Sequence, residues 1–180
     1  MNKSNILLWF RNDLRLHDNP ALIHSVQQAK INNSKIFCVY ILEYDETSSS
    51  KIGSASKWWL FKSLKNLEKS ILKLANIRTS RILNFYVGKP KEIIPKICLE
   101  NDIGYVFWNR RYEAKKRNID AEIKALLNTQ NIFVKSSNGS TLIEPWKVLG
   151  KQNQRLKVFT PYKTSLITNH EITKPLNKPN

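Results

Sequence analysis

Short apolar runs alternate with longer stretches of helical periodicity along most of the chain. The runs predict strands, and the periodic stretches predict helices between them. The predicted strands are 6–10, 35–42, 81–87, 104–108 and 132–134, and the predicted helices are 20–31, 56–75, one that begins at Pro90, and 113–127. This alternation predicts parallel strands joined by crossover helices. We therefore expect an α/β fold: a doubly wound, five-stranded parallel sheet, Rossmann-like, with helices on both faces.

The pattern weakens after Val134. Polar turns follow at 136–139 and 150–155, and the tail from Thr168 is rich in Lys, Asn, Pro and Thr. A chain of 180 residues is long enough for one domain with its own core. We expect an α/β domain over 1–135 and the start of an interdomain linker over 136–180.

The longest early apolar run, Ile6–Phe10, is too short to span a bilayer or to act as a signal peptide. Cys38 and Cys98 lie in apolar patterns, which predicts buried, reduced thiols. These features favour a cytoplasmic protein without membrane contact. The net charge of +16 attracts polyanions, nucleic acid first, but lysines spaced along predicted helices are equally typical of a solvated face.

Motifs for nucleotide binding, acyl-transfer hydrolysis and zinc binding are absent from this sequence. No glycine-rich phosphate loop follows a predicted strand, and no G-x-S-x-G elbow is present. The three histidines, His17, His24 and His170, do not have the paired spacing of a zinc site. The sequence thus nominates no catalytic residue and no metal ligand.

Doubly wound folds bind ligands at the carboxyl ends of their strands, which predicts a site at 11–14, 42–45 and 108–112. The loop after the first strand holds two arginines and two aspartates. These could fix the loop by mutual hydrogen bonds or bind a polar ligand, and the structural role is the commoner one. Trp108 could stack on a planar ligand or lie in the core. At least one of Trp58 and Trp59 is expected in the core.

Four stretches, in this order, resemble the antenna domain of the DNA photolyase/cryptochrome family. They are 9–22, 53–64, 108–120 and 157–162. One such motif could arise by chance, whereas four in series are highly specific. The Asn109–Glu113 stretch and the tryptophan pair look more like class I cyclobutane pyrimidine dimer photolyases, while the opening motif fits DASH cryptochromes equally well.

The resemblance implies an N-terminal, light-harvesting domain that binds an antenna chromophore, which is a folate, a deazaflavin or a flavin in this family. It also implies a C-terminal helical domain that binds FAD and repairs DNA in blue light. This chain ends where that domain would begin, so the implied partners are a missing or separate C-terminal photolyase domain and, in the full-length protein, DNA. Alone, the chain is expected not to repair DNA.

Position at the strand ends, together with the resemblance, nominates seven cofactor-binding residues: Arg11, Leu42, Glu43, Lys57, Asn109, Arg110 and Arg111. Lys115 and Lys116 replace the Asn-Glu pair of folate-binding members, and Arg111 replaces an acidic residue of some deazaflavin-binding members, so the chromophore stays open. Three alternatives also stay open: a stand-alone nucleotide- or nucleic-acid-binding α/β module, a fragment of a cryptochrome-type light sensor, and an inactive remnant.

Overall fold

The computed structural model of the protein describes residues 4–43, 52–78 and 81–179. Strands and helices alternate as the sequence pattern predicts. The strands are β1 (Asn5–Phe10), β2 (Ile36–Glu43), β3 (Leu83–Gly88), β4 (Ile103–Asn109) and β5 (Phe133–Ser137). The helices are α1 (Pro20–Asn32), α2 (Ser54–Ala75), α3 (Pro90–Glu100), α4 (Ala114–Thr129) and α5 (Phe159–Asn169).

The five strands form one sheet in the order β3-β2-β1-β4-β5, and every pair is parallel. The chain builds outward from β1 to β3 and then returns to the other side of β1 with β4. The expected doubly wound α/β fold is therefore confirmed. Because the strand order reverses between β1 and β4, the loops that follow these two strands meet at the switch point where such folds bind ligands.

Each face of the sheet is covered by a pair of helices, because neighbouring residues of a strand point to opposite faces. On one face Leu7 and Trp9 of β1 share an apolar cluster with Ile94 and Ile97 of α3 and with Ile123 of α4. On the other face the alternate residues of β1 contact α1 and α2. That second cluster includes Ile6, Leu8, Phe10, Leu22, Leu64, Leu67 and Ile71.

Asparagine residues lie at both ends of α1 and at the C-terminal end of α2. Asn19 caps α1, since its side-chain oxygen accepts a hydrogen bond from the Leu22 amide at 3.1 Å. Asn33 and Asn76 end α1 and α2 in the left-handed conformation, with φ of 48° and 51°. Asparagine tolerates this conformation better than most residues, which explains its use at both ends.

The structure adds elements after Val134 that the sequence pattern does not predict. Strand β5 continues to Ser137, and α5 follows at Phe159–Asn169. No residue of α5 is buried. A helix that packs against no core does not need an apolar stripe, which is why the sequence pattern does not predict it. Further on, Leu176 and Asp18 are joined by two hydrogen bonds, which brings the tail to the β1–α1 loop. Within the described ranges no helix is both long and apolar enough to cross a bilayer.

Candidate functional site

Six of the buried polar residues lie together at the carboxyl edge of the sheet, and we call them the polar cluster: Arg11, Asp13, Asn19, Asn109, Arg111 and Asp120. Strand β1 leads directly into Arg11, and β4 ends at Asn109. Asp120 comes from α4, one turn and a half inside the helix. Buried charges of this kind are stable only when they are paired and hydrogen-bonded.

Asp120 is the central anion of the polar cluster. Its Oδ2 accepts a hydrogen bond from Arg11 Nη1 at 2.6 Å, and its Oδ1 accepts one from Arg111 Nη2 at 2.5 Å. Arg111 also pairs with Glu43 at the end of β2. Burial lowers the pKa of Arg11, and the Asp120 carboxylate opposes this shift. The guanidinium groups of Arg11 and Arg111 lie 4.7 and 5.2 Å from the ring centre of Trp9, so the charges also rest on an aromatic core.

Asn109 joins β4 to the loop after β1. Its Nδ2 donates to Asp13 Oδ2 at 2.5 Å and to Asn19 Oδ1 at 2.7 Å. Its Oδ1 accepts from the Ala21 amide at 3.1 Å. Both polar atoms of this side-chain amide therefore form hydrogen bonds within the protein, and these bonds attach the β1–α1 loop to the end of β4.

The chain after β5 folds back over the same edge. Arg110 donates to the Ser136 carbonyl at 2.6 Å and pairs with Glu144. Arg15 donates to the Gly139 carbonyl at 2.6 Å. A Cβ atom at Gly139 would overlap with the Asn109 side chain, and would lie 2.7 Å from its Nδ2. Only glycine therefore lets residues 138–150 lie this close to the polar cluster.

The nominated cofactor residues do not form one open pocket. Arg11, Glu43, Asn109 and Arg111 are brought together, but through contacts with one another and with Asp120. Arg110 lies against Ser136 and Glu144 instead. Leu42 is half-buried beside the core that α2 covers, and Lys57 is exposed in the first turn of α2. Tyr44 and Asp45, part of the expected site, lie outside the described residues.

An open groove lies beside the polar cluster, between the β1–α1 loop and the start of α2. We call it the loop groove; its volume is about 740 Å³. Its lining residues are Asn12, Leu14, Arg15, Ala55, Ser56, Trp59, Leu60 and Ser63. The switch-point rule predicts the Asn12–Leu14 side of this groove, whereas Arg15, Ser56, Trp59 and Ser63 carry no signal in the sequence that marks them as site residues.

The expectation that Trp58 or Trp59 belongs to the core is wrong. Their side chains are 59% and 69% exposed. The reason is the phase of α2, which turns Leu60, Leu64, Leu67 and Ile71 toward the sheet. The two tryptophans then fall outside that stripe. By contrast, Trp108 is a core residue, in edge-to-face contact with Trp9 at 5.7 Å between ring centres.

A parallel sheet of this order, with a hydrogen-bonded polar cluster at its switch point and a groove beside it, defines a Rossmann-like α/β domain. The family described as DNA photolyase matches residues 6–180. The chain belongs to this family and corresponds to its N-terminal α/β domain, as the four motifs indicate.

Curated relatives give the same result. The chain is 31% identical over 174 residues to a deoxyribodipyrimidine photo-lyase of Agrobacterium fabrum, covering 97% of this chain and 34% of the relative. It is 26% identical over 159 residues to the Escherichia coli photo-lyase, covering 88% of this chain and 32% of the relative. Cryptochrome-1 of Arabidopsis thaliana is 26% identical over 156 residues, covering 87% of this chain and 22% of that protein. The chain thus spans about a third of the two photo-lyases and less of the cryptochrome.

Solved structures agree in fold. A bacterial class III photolyase from Agrobacterium tumefaciens superimposes with a TM-score of 0.84 at 31% identity, covering 99% of this chain and 35% of that one. A Synechocystis cryptochrome reaches 0.81 at 23% identity, covering 98% of this chain and 36% of that one, and supports the fold alone. Photolyases and cryptochromes both occur among the similar proteins, so the class I assignment stays a prediction.

Proposed function

We propose that the chain is the light-harvesting domain of a DNA photolyase and that the loop groove holds its antenna chromophore. The observation that carries this proposal is a groove of about 740 Å³ at the switch-point edge, bordered by an exposed tryptophan. Ligand sites of α/β folds lie at this edge, and a planar chromophore suits an aromatic wall with a few polar groups. The bound chromophore would absorb light and pass the energy to a second centre.

The lining residues fit such a molecule in kind. Trp59 offers a ring face for stacking, and Asn12, Ser56 and Ser63 offer hydrogen bonds to polar edges of a ring. Arg15 adds a positive charge, which suits the carboxylate of a folate or the phosphate of a flavin. Lys57 lies next to Ser56 in the exposed first turn of α2 and extends this basic border.

The polar cluster supports the groove without lining it. The side chains of Arg11, Asn109 and Arg111 donate hydrogen bonds to Asp13, Asn19, Glu43 and Asp120, although Nε of both arginines and Nη2 of Arg11 are left without a partner among the described residues. The bonds from Asn109 and from the Arg11 amide to Asp13 tie the β1–α1 loop, one wall of the groove, to this cluster. Their proposed role is therefore to shape the chromophore site.

The FAD-binding helical domain and DNA are the partners that family membership favours. The groove-bearing domain would collect light, and the helical domain would perform the repair. Cytoplasmic location is also part of the proposal. It is supported by Cys38 and Cys98, which are buried free thiols, the form usual for cysteines of cytoplasmic proteins.

The test is an absorption titration of the purified chain with methenyltetrahydrofolate, a deazaflavin and FMN. One of them is expected to bind with a shifted band between the near ultraviolet and the blue. Trp59→Ala should weaken that binding at least about tenfold, because the stacking wall is lost. Trp58→Ala is the matched control, since Trp58 neighbours Trp59 but does not line the loop groove. A folded chain that takes up none of the three, or equal losses in the two variants, would refute the proposal.

A further inference from the structure

The outer face of α2 carries a row of lysines, which we call the lysine stripe: Lys62, Lys65, Lys69 and Lys73. Their spacing of three or four residues places them on one side of the helix, in line with Trp58. At a rise of about 1.5 Å per residue, the stripe is about 16 Å long. All four lysines are exposed.

The charge of the lysine stripe is not compensated. Glu68 is the only acidic residue in α2, and its Oε1 accepts hydrogen bonds from the amides of Ile82 and Leu83 at 3.2 and 3.3 Å, toward the sheet. Within the part of the chain that the structure describes, no stripe lysine is in an ion pair with a carboxylate. On α3, by contrast, Lys91 pairs with Glu122 and Lys96 with Glu100.

Exposed aromatic rings accompany the lysine stripe. Trp58 is 59% exposed and Phe61 is 52% exposed. The ammonium groups of Lys62 and Lys65 lie 5.3 and 4.8 Å from the centres of these two rings. Such contacts hold the lysines beside ring faces that a planar group could also use.

A second groove follows the stripe, between α2 and the edge strand β3. We call it the strand groove, and its volume is about 640 Å³. Phe61 and Phe85 line it together with Lys65, Arg81 and Glu68, while the side chain of Tyr86 packs against the core on the other face of the sheet. Phe85 is half exposed and stacks on Tyr40 at 5.7 Å between ring centres, which holds its ring in place. A row of cations therefore runs beside a groove walled by aromatic rings.

We propose that the lysine stripe and the strand groove bind single-stranded nucleic acid. Proteins that bind single strands combine a basic track for the phosphates with aromatic rings on which bases stack, and both features are present here side by side. The phosphates would follow the lysines, and the bases would stack on Trp58, Phe61 and Phe85. This surface is separate from the loop groove, so the inference does not depend on an antenna being bound.

A membrane surface is the less suitable partner. A helix that lies on a membrane inserts its apolar face, with basic residues along the border. The apolar face of α2 is Leu64, Leu67 and Ile71, and these residues are buried against the sheet. On the lysine side the rings of Trp58 and Phe61 each have a lysine ammonium group nearby, which suits stacking rather than insertion.

The test uses fluorescence anisotropy of the whole chain with a labelled oligothymidylate of about 20 nucleotides, longer than one binding site of such a surface. The triple variant K62Q/K65Q/K69Q should bind at least about tenfold more weakly, with the salt slope reduced by about 2. The matched control is K91Q/K96Q/K124Q, which removes the same charge from the opposite face of the sheet and should change binding less than about twofold. Trp58→Ala should weaken binding about fivefold or more, because stacking is lost. Trp59→Ala should have no effect.

Equal losses in the two triple variants would overturn the proposal, because net charge alone would then explain binding. Binding of a duplex of the same length with equal affinity, unchanged by Trp58→Ala, would also overturn it. So would the absence of oligothymidylate binding, and cosedimentation with phosphatidylserine vesicles in its place would make the stripe a membrane surface. Circular dichroism and thermal unfolding of each variant separate loss of binding from loss of fold.

Discussion

Asp120 is the residue on which the carboxyl edge of the sheet depends most directly. It is buried and accepts hydrogen bonds from two buried arginines, Arg11 and Arg111. The Asp120 carboxylate offsets the cost of taking Arg11 out of water, and for Arg111 it does so together with Glu43. The two arginines therefore have a structural role, and the loop that follows Arg11 lines the loop groove.

Asp120→Asn should lower the free energy of unfolding by about 3–5 kcal/mol, because the buried Arg11 loses its ion-pair partner and Arg111 keeps only Glu43. Urea denaturation followed by circular dichroism measures the loss. Glu122→Gln on the same helix is the control, since its ion pair with Lys91 is exposed and is worth about 1 kcal/mol or less. Equal effects of the two substitutions would mean that the Asp120 pairs contribute no more than a surface ion pair.

Residues 138–150 contain little regular secondary structure, yet they lie in close contact with the polar cluster. They pass over the carboxyl edge, where Arg15 donates to the Gly139 carbonyl and Tyr112 Oη donates to Asn138 Oδ1 at 2.9 Å. Trp146 packs against Tyr112 in a tilted arrangement, at 5.5 Å between ring centres. A polar stretch thus becomes part of the wall that supports the β1–α1 loop.

Gly139→Ala should destabilise the fold by about 1–3 kcal/mol, because the new methyl group overlaps with the Asn109 side chain, which is held by its own hydrogen bonds. The measurement is a double-mutant cycle with Asn109→Ala. Once the Asn109 amide is removed, only the Asn109 Cβ remains of the three atoms nearest to the added methyl group, at 2.8 Å, so the methyl group should cost less. A cost that is the same in both backgrounds would show that the overlap with the Asn109 amide is not its cause.

For the molecule as a whole, the net charge of +16 is a source of self-repulsion as well as of attraction for polyanions. The two faces of the sheet differ in this respect. Ion pairs join Lys91 and Lys96 of α3 to carboxylates, while the described structure shows no such pair for the lysine stripe on α2. The repulsion should therefore be concentrated on the α2 side.

Raising the ionic strength from about 0.01 M to about 0.15 M should raise the melting temperature by about 2 °C or more, because the screening length falls from about 30 to about 8 Å. Differential scanning fluorimetry in sodium chloride measures the shift. The stripe variant K62Q/K65Q/K69Q should respond less than K91Q/K96Q/K124Q, which leaves the unpaired lysines in place. An identical response of the two variants would contradict a local origin of the repulsion.

Local sequence determined much of the fold. The apolar runs and helical periods predicted β1 to β5 and α1 to α4. They could do so because the hydrophobic periodicity that marks a strand or a helix depends only on residues close together in the chain. The Asn19 cap and Pro20 marked the start of α1 in the same way. The four motifs were sufficient to identify the family, and the rule for doubly wound folds located the Asn12–Leu14 side of the loop groove.

Tertiary structure decided the rest, because it depends on partners far apart in the chain. Arg11 and Asp120 are 109 residues apart, and nothing near either residue shows that they pair. The exposure of Trp58 and Trp59 followed from how α2 is rotated on the sheet. Helix α5 buries no residue and so left no periodic signal. Residue types along a chain determine which elements form and at which edge of the sheet ligands can approach. Packing determines which polar groups form hydrogen bonds within the protein and which stay accessible to a binding partner.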